Sequence, residues 1–353
     1  MDKKTKVLVV DDSAFSRQAI KKMLSKDPAI DVIAVAVDGI DAISKTLRYR
    51  PDIITLDIEM PHMDGFSFLR WLTKECPTPV IMVSSLSNSR TVFRTLEMGA
   101  VDFITKPTRR ASPEIERIEQ DLLNKIHSIN LNSLKRLNRN LDNLYRRKSL
   151  KTLDARETAD SGVIAIGAST GGPQALQLIL TSLPEGFPLP IVISQHMPRE
   201  FTGALATRLD QLSYINVKEA VEGDTLEPST ALICPGGHHM QLKKSRNRVL
   251  VKLLKSYESD RYVPSVDIMM KSAADIFKNR TLGVILTGMG NDGKEGMKEI
   301  YGKGGFTVAE SEKTAVVFGM PQEVIKAGFA RRITPLNSIA AELKKRVLKE
   351  NIK

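Results

Sequence analysis

The sequence has only two cysteines, Cys76 and Cys234, among 353 residues. That scarcity excludes a disulfide scaffold and suits a reducing compartment. Long apolar runs are missing as well. The longest, Val32 to Val37, is six residues, against the roughly 20 that a helix needs to cross a bilayer. The opening Met1-Asp2-Lys3-Lys4-Thr5 leads straight into a strand-like segment rather than the apolar core of a signal peptide. These absences predict a cytoplasmic protein that is not membrane-inserted. What is present is ordinary globular composition, 42% hydrophobic and 26% charged, which argues against a disordered or fibrous chain. The length exceeds one ordinary core, so two domains joined by a linker are expected.

The formal charge is +11, and its distribution decides what it means. Residues 1–107 carry 15 basic and 14 acidic side chains, residues 108–160 carry 12 and 8, and residues 161–353 carry 25 and 19. The densest excess lies between Lys125 and Lys151, where eight Lys/Arg meet one acid, Asp142. A basic connector of that kind reads as a solvated face or a contact for an acidic protein, with no nucleic acid as partner.

Along residues 1–107, five short β-branched runs alternate with amphipathic stretches. Val7–Val10, Val32–Val37, Asp52–Asp57, Val80–Ser84 and Asp102–Thr105 are apolar on both faces, as buried parallel strands are. Five β/α repeats predict a doubly wound five-stranded parallel, flavodoxin-like sheet with its site at the carboxyl ends of the strands. Ile115, Ile118, Leu122, Ile126 and Ile129 follow at helical spacing, then Leu134, Leu137, Leu141 and Leu144. They read as a last domain helix running into a helical linker, with a short coiled coil as the alternative. From Val163 onward strands and helices alternate again, around a middle region of shorter strands and a hairpin. A second, larger α/β domain with a mostly parallel sheet is expected. The predicted boundaries are 1–128, 129–160 and 161–353.

Asp11 and Asp12 follow the first predicted strand and Asp57 ends the third, so a doubly wound sheet brings three carboxylates to one edge. Such charges repel unless a cation sits among them, and oxygen-only ligands at a shallow site suit Mg²⁺. Ser84 and Lys106 add a hydroxyl and an ammonium at the same edge. A carboxylate nucleophile with those neighbours is what an acyl-phosphate on Asp57 requires. Capping of a helix by the Asp pair is the plainer reading, but it explains neither Asp57 nor Lys106. These residues, with Asp-Ile-Glu-Met-Pro-His-Met-Asp-Gly around Asp57 and Lys106-Pro107, resemble a response-regulator receiver domain over about the first 125 residues. The resemblance implies Asp57 as phosphoacceptor, with the Glu59 backbone carbonyl joining Asp11, Asp12 and Asp57 around Mg²⁺. It also implies contacts from Ser84 and Lys106 to the phosphoryl group, Phe103 as the switch aromatic, and a cis Lys106-Pro107 bond.

In the second domain, Gly167-Ala168-Ser169-Thr170-Gly171 fits Gly-x-Ser-x-Gly between a strand and a helix. A sharp turn there exposes the serine hydroxyl and aims the helix's first N–H groups at an oxyanion. A phosphate-binding loop is the rival, but the glycine-lysine register it needs is missing. A serine nucleophile requires a base. Of five histidines, His62 belongs to the receiver motif and His127 to a charged helix. His196 stands just after a predicted strand, and His238 and His239 sit in Pro-Gly-Gly-His-His-Met, where a turn with exposed imidazoles is expected. His196 is favoured. For the orienting carboxylate, Asp292 in Leu-Thr-Gly-Met-Gly-Asn-Asp-Gly directly follows a strand; its competitor, Asp267, opens an apolar helix and is read as capping it.

With Gly-Ala-Ser-Thr-Gly-Gly-Pro, Ser-Gln-His-Met-Pro and Leu-Thr-Gly-Met-Gly-Asn-Asp-Gly added to the receiver, the whole chain resembles the chemotaxis response-regulator protein-glutamate methylesterases. The resemblance implies a triad of Ser169, His196 and Asp292, with the backbone N–H groups of Thr170 and Met289 at the oxyanion. It implies hydrolysis of glutamate methyl esters on the cytoplasmic helices of chemoreceptors, deamidation of selected glutamines there, and a histidine kinase as phosphodonor. It further implies Mg²⁺ at the receiver alone and no cofactor for ester hydrolysis. The main rivals are a DNA-binding response regulator with a compact helix-turn-helix output and a nucleotide-binding output domain using the Gly167–Gly172 loop.

Overall fold

The protein is described from a computed structural model, over residues 4–84, 89–106, 113–129 and 162–350. The chain divides into two compact units, Met1–Lys135 and Arg136–Lys353. The second leucine set of the linker lies outside the described residues.

The first unit has strands β1 (Thr5–Val10), β2 (Ile30–Ala36), β3 (Ile53–Asp57), β4 (Val80–Ser84) and β5 (Asp102–Thr105). Its helices are α1 (Ala14–Leu24), α2 (Gly39–Tyr49), α3 (Gly65–Glu75), α4 (Ser89–Glu97) and α5 (Pro113–Ser128). The sheet is wholly parallel in the order β2-β1-β3-β4-β5, so the strand order reverses between β1 and β3, where a doubly wound sheet opens its crevice. Val7–Val10 and Ile53–Leu56 are fully buried on both faces, as the continuous apolar runs required. Ser13, Asp38 and Asp64 cap the first three helices by accepting from Ser16, Asp41 and Ser67 N–H.

The second unit is larger. Its strands are β6 (Val163–Ala168), β7 (Ile191–Gln195), β8 (Asn216–Glu219), β9 (Thr230–Ile233), β10 (His238–Ser245), β11 (Arg248–Lys255), β12 (Thr281–Ile285), β13 (Phe306–Glu310) and β14 (Arg332–Thr334). Seven of them form one sheet in the order β14-β13-β12-β6-β7-β9-β8. Every neighbouring pair in it is parallel. The predicted hairpin is β10–β11, a separate antiparallel pair. Its helices are α6 (Gly172–Leu180), α7 (Arg199–Leu212), α8 (Val266–Phe277), α9 (Lys294–Gly302), α10 (Met320–Lys326) and α11 (Leu336–Glu350).

The central strands β6, β7 and β12 are buried along their whole length, and their carboxyl ends deliver three loops to one edge. Register fixes the alignment: Ala168 pairs with Gln195 and Gly167 with both Ser194 and Ile285. This α/β layer differs from the compact helix-turn-helix output that the charge balance raised as a rival. The helices Arg199–Leu212 and Met320–Lys326 and the strands β13 and β14 were not predicted from sequence; the segments are short or interrupted by threonine and glycine.

Candidate functional site

Two sites stand at the carboxyl ends of strands, one in each unit. In the first unit, Val10 of β1 lies in register with Leu56 of β3, so the next residues, Asp11 and Asp57, are neighbours. One carboxylate oxygen from each of Asp11, Asp12 and Asp57 falls within 4.8 Å of the other two. Lys106 Nζ lies 2.6 Å from Asp57 Oδ2, 3.3 Å from Asp11 Oδ1 and 3.9 Å from Asp12 Oδ1. Burial, reinforced by the Asp57 charge, pushes Asp11 up to about 6 against the pull of Lys106. Burial also raises Asp57, although Lys106 opposes it. Burial disfavours the Lys106 ammonium, yet Asp57 and Asp11 outweigh it and hold that group above its ordinary value.

Among the described residues the three carboxylates pair with Lys106 alone, and Asp11 Oδ2 is buried with no hydrogen-bond partner. That oxygen-only, under-neutralised set fits a hard divalent cation. The Asp-Gly of the motif has a steric reason: Gly65 N–H donates to Ile58 O, and a Cβ on Gly65 would lie 2.3 Å from Asp57 O. Phe103 is buried in this structure, with Lys125 Nζ 5.5 Å from its ring centroid and donating to its carbonyl. Ser84 closes β4, but its side chain lies outside the described residues, as does the Lys106-Pro107 bond.

In the second unit, Ser169 and His196 each stand one residue beyond a paired strand end, because Ala168 and Gln195 are register partners. His196 N–H donates to Ala168 O at 3.0 Å and Gln195 Nε2 to Ser169 O at 2.9 Å, which ties the two loops together. Ser169 N–H donates to Thr287 O in the third loop. Glycines permit this crowding. Gly171 adopts φ +77° beneath Val316, a Cβ on Gly172 would meet Gln195 Oε1 at 2.0 Å, and one on Gly288 would lie 2.7 Å from Ser169 Cβ.

His196 Nε2 lies 2.8 Å from Asp292 Oδ2. Tyr262 stacks on the imidazole, with ring centroids 5.2 Å apart and planes 9° from parallel. Its hydroxyl donates to Asn291 Oδ1. Asp292 is buried and accepts from Val266 N–H, Asp267 N–H, Gly293 N–H and Ser265 Oγ. Burial would raise its carboxyl. The His196 hydrogen bond and charge, with the Val266 and Asp267 N–H groups at the head of α8, outweigh burial and hold it below the ordinary range.

No hydrogen bond joins Ser169 to His196 among the described residues, so the structure forms the His–Asp half of the expected triad and sets the serine beside it. The Thr170 and Met289 N–H groups have no intramolecular acceptor among the described residues.

Two expectations need correction. His239 is not an exposed turn residue. It is buried on β10, where Nδ1 accepts from Ser265 N–H at 2.9 Å and Nε2 faces Asp260 Oδ2 at 3.0 Å. An accepting Nδ1 places the ring proton on Nε2, so His239 is a structural prop for the α8 start. Asp267 does not cap its own helix, a task Ser265 performs. Instead it accepts from Gly296 N–H in α9, while Asp292, just before α9, caps α8. The two helices cap each other reciprocally. Sequence reading gave no role to Tyr262, Ser265 or Thr287, which act through ring stacking, helix capping and loop-to-loop hydrogen bonds.

Together the fold and the two sites define a receiver unit joined to an α/β hydrolytic unit with a histidine–aspartate pair beside a serine turn. The family model described as CheB methylesterase matches residues 164–343, and that of the response regulator receiver domain matches residues 7–114. A protein-glutamate methylesterase/protein-glutamine glutaminase of Geobacter sulfurreducens is 45% identical, covering 97% of this chain and 97% of its own. One of Thermotoga maritima is 41% identical over 97% of this chain and 98% of its own. The crystal structure of the Thermotoga maritima CheB methylesterase catalytic domain aligns at 43% identity and a TM-score of 0.51, covering 52% of this chain and 98% of that one. The chain belongs to the CheB methylesterase family.

Asp292→Asn tests the electrostatics. A carboxyl held below its unfolded value contributes stability that is present above the unfolded value and lost as pH falls through the folded one. The variant is therefore expected to be less stable than wild type at pH 7 by about 1–3 kcal/mol, with the gap closing as pH falls below the usual carboxylate range. Chemical denaturation at several pH values measures it.

Proposed function

We infer that the second unit hydrolyses methyl esters of glutamate side chains on the cytoplasmic helices of chemoreceptors, releasing methanol, and that phosphorylation of Asp57 regulates it. The carrying observation is the 2.8 Å His196–Asp292 pair, set in register beside the Ser169 turn. His196 Nδ1 takes the proton of Ser169 Oγ as that oxygen attacks the ester carbonyl. The negative charge that develops on the carbonyl oxygen is met by the N–H groups of Thr170 and Met289. Asp292 keeps the ring's other proton on Nε2 and stabilises the imidazolium. Collapse of the tetrahedral intermediate breaks the C–OCH₃ bond, and His196 returns the proton to methanol. Water, deprotonated by His196, then attacks the glutamyl–Ser169 ester, freeing the glutamate carboxylate and regenerating Ser169. A glutamine side chain undergoes the same sequence with ammonia as leaving group.

In the receiver, Asp57 is the phosphoacceptor. Asp11, Asp12, Asp57 and the Glu59 backbone carbonyl would hold Mg²⁺, which when bound neutralises phosphoryl oxygens. Lys106 is poised 2.6 Å from Asp57 to pair with the phosphoryl group, and Ser84 is assigned a contact to the same group. Phe103 is assigned the conformational readout, and a histidine kinase is the phosphodonor.

Two measurements test this reading. Ser169→Ala is expected to lower kcat for methanol release from methylated receptor membranes by about 10⁴-fold or more while leaving the fold intact; normal release from the folded variant contradicts it. Chelation of divalent cations with EDTA is expected to abolish transfer of phosphate from a small phosphodonor to Asp57, with Mg²⁺ restoring it. Undiminished labelling in EDTA contradicts the metal assignment.

A further inference from the structure

One ionisable side chain beside the hydrolytic site has no part in that mechanism. Glu310 ends β13 and is fully buried. Its Oε2 accepts from Thr287 N–H at 2.8 Å, while Oε1 is buried with no partner. Burial pushes the carboxyl up to about 7 against the pull of that N–H and of the Thr314 hydroxyl. An acid kept in such a place with so few donors is costly unless its contacts matter.

The contact reaches the nucleophile in one further step. All three polar atoms of Thr287 are engaged. Its N–H goes to Glu310, and its carbonyl accepts from Ser169 N–H at 3.0 Å. Its hydroxyl donates to Thr170 O at 2.9 Å and accepts from Val317 N–H at 2.9 Å. The next residue, Gly288, is laced to the same segment, donating to Val317 O and accepting from Gly319 and Met320 N–H. Thr287 therefore joins the turn holding Ser169 and Thr170 to the loop holding Met289, and Glu310 is the anchor on its far side.

The geometry points to Glu310 as a positioning residue for ester hydrolysis, acting through Thr287 to hold the Ser169 hydroxyl and the Thr170 and Met289 N–H groups in one constellation. This rests on the hydrolase reading above. Glu310 touches neither substrate nor the reacting atoms. What it supplies is an acceptor for Thr287 N–H, without which that group is buried and unsatisfied and the two loops are free to shift. A displacement of about 1 Å at such a site costs on the order of 100-fold in rate.

The test measures kcat and KM for methanol release from methylated receptor membranes with the full chain, in Glu310→Gln, Glu310→Ala and Thr287→Val, with Ser169→Ala alongside and near-ultraviolet circular dichroism as the check on folding. Gln keeps an acceptor oxygen, so kcat is expected within about fivefold of wild type. Ala removes it, and kcat is expected to fall on the order of 100-fold with KM within about twofold, since no substrate contact is lost. Thr287→Val removes only the hydroxyl link and is expected to lower kcat likewise. A merely structural glutamate would lower thermal stability and leave kcat of the folded protein unchanged. Unchanged kcat in folded Glu310→Ala, or in Thr287→Val should the alanine variant not fold, overturns the proposal, as does a loss in Gln as deep as in Ala. Activity surviving in Ser169→Ala would instead overturn the hydrolase reading itself.

Discussion

The carboxylate of Asp292 is surrounded by donors. Burial strips it of water, and in exchange it receives His196 Nε2, the first N–H groups of α8, the Ser265 hydroxyl and the N–H of Gly293. A buried charge persists only when so compensated. The same arrangement does three things at once. It keeps Asp292 ionised, it fixes which imidazole nitrogen carries a proton, and it locks α8 against α9 through the reciprocal cap from Asp267. The candidate site is thus built from the contacts that hold this part of the fold together.

Beyond that interaction, the site is a product of parallel-sheet geometry. Three buried strands end at one edge, their register sets Ser169 beside His196, and glycines let the loops approach to distances that a methyl group would forbid. The receiver repeats the strategy with the opposite electrostatics. There the strand ends concentrate negative charge around Lys106, and burial with the Asp57 charge pushes Asp11 up to about 6.

Much of this was legible in the sequence. Continuous β-branched runs marked the central strands, because a parallel strand covered on both faces has no polar positions to interrupt it. Asp11, Asp57, Lys106, Ser169, His196 and Asp292 were legible because each follows or ends such a run. His239 was misread as an exposed turn residue, since nothing local to Gly-Gly-His-His shows that Asp260 and Ser265 fold over the ring. Thr287 and Glu310 were passed over for a similar reason: they work through backbone atoms far away in sequence. An acid closing the apolar run of β13 was the one available hint. Short β14, with two of its three residues exposed, offered no apolar pattern at all.

The central claim is that Ser169, His196 and Asp292 act as one nucleophilic unit, with His196 Nδ1 as the base. An active-site-directed fluorophosphonate, followed by mass spectrometric mapping on the full chain, measures it most directly. The account predicts a single adduct on Ser169, formed far more slowly in His196→Gln. An adduct on another residue, or Ser169 labelling at the same rate without the imidazole, would contradict it.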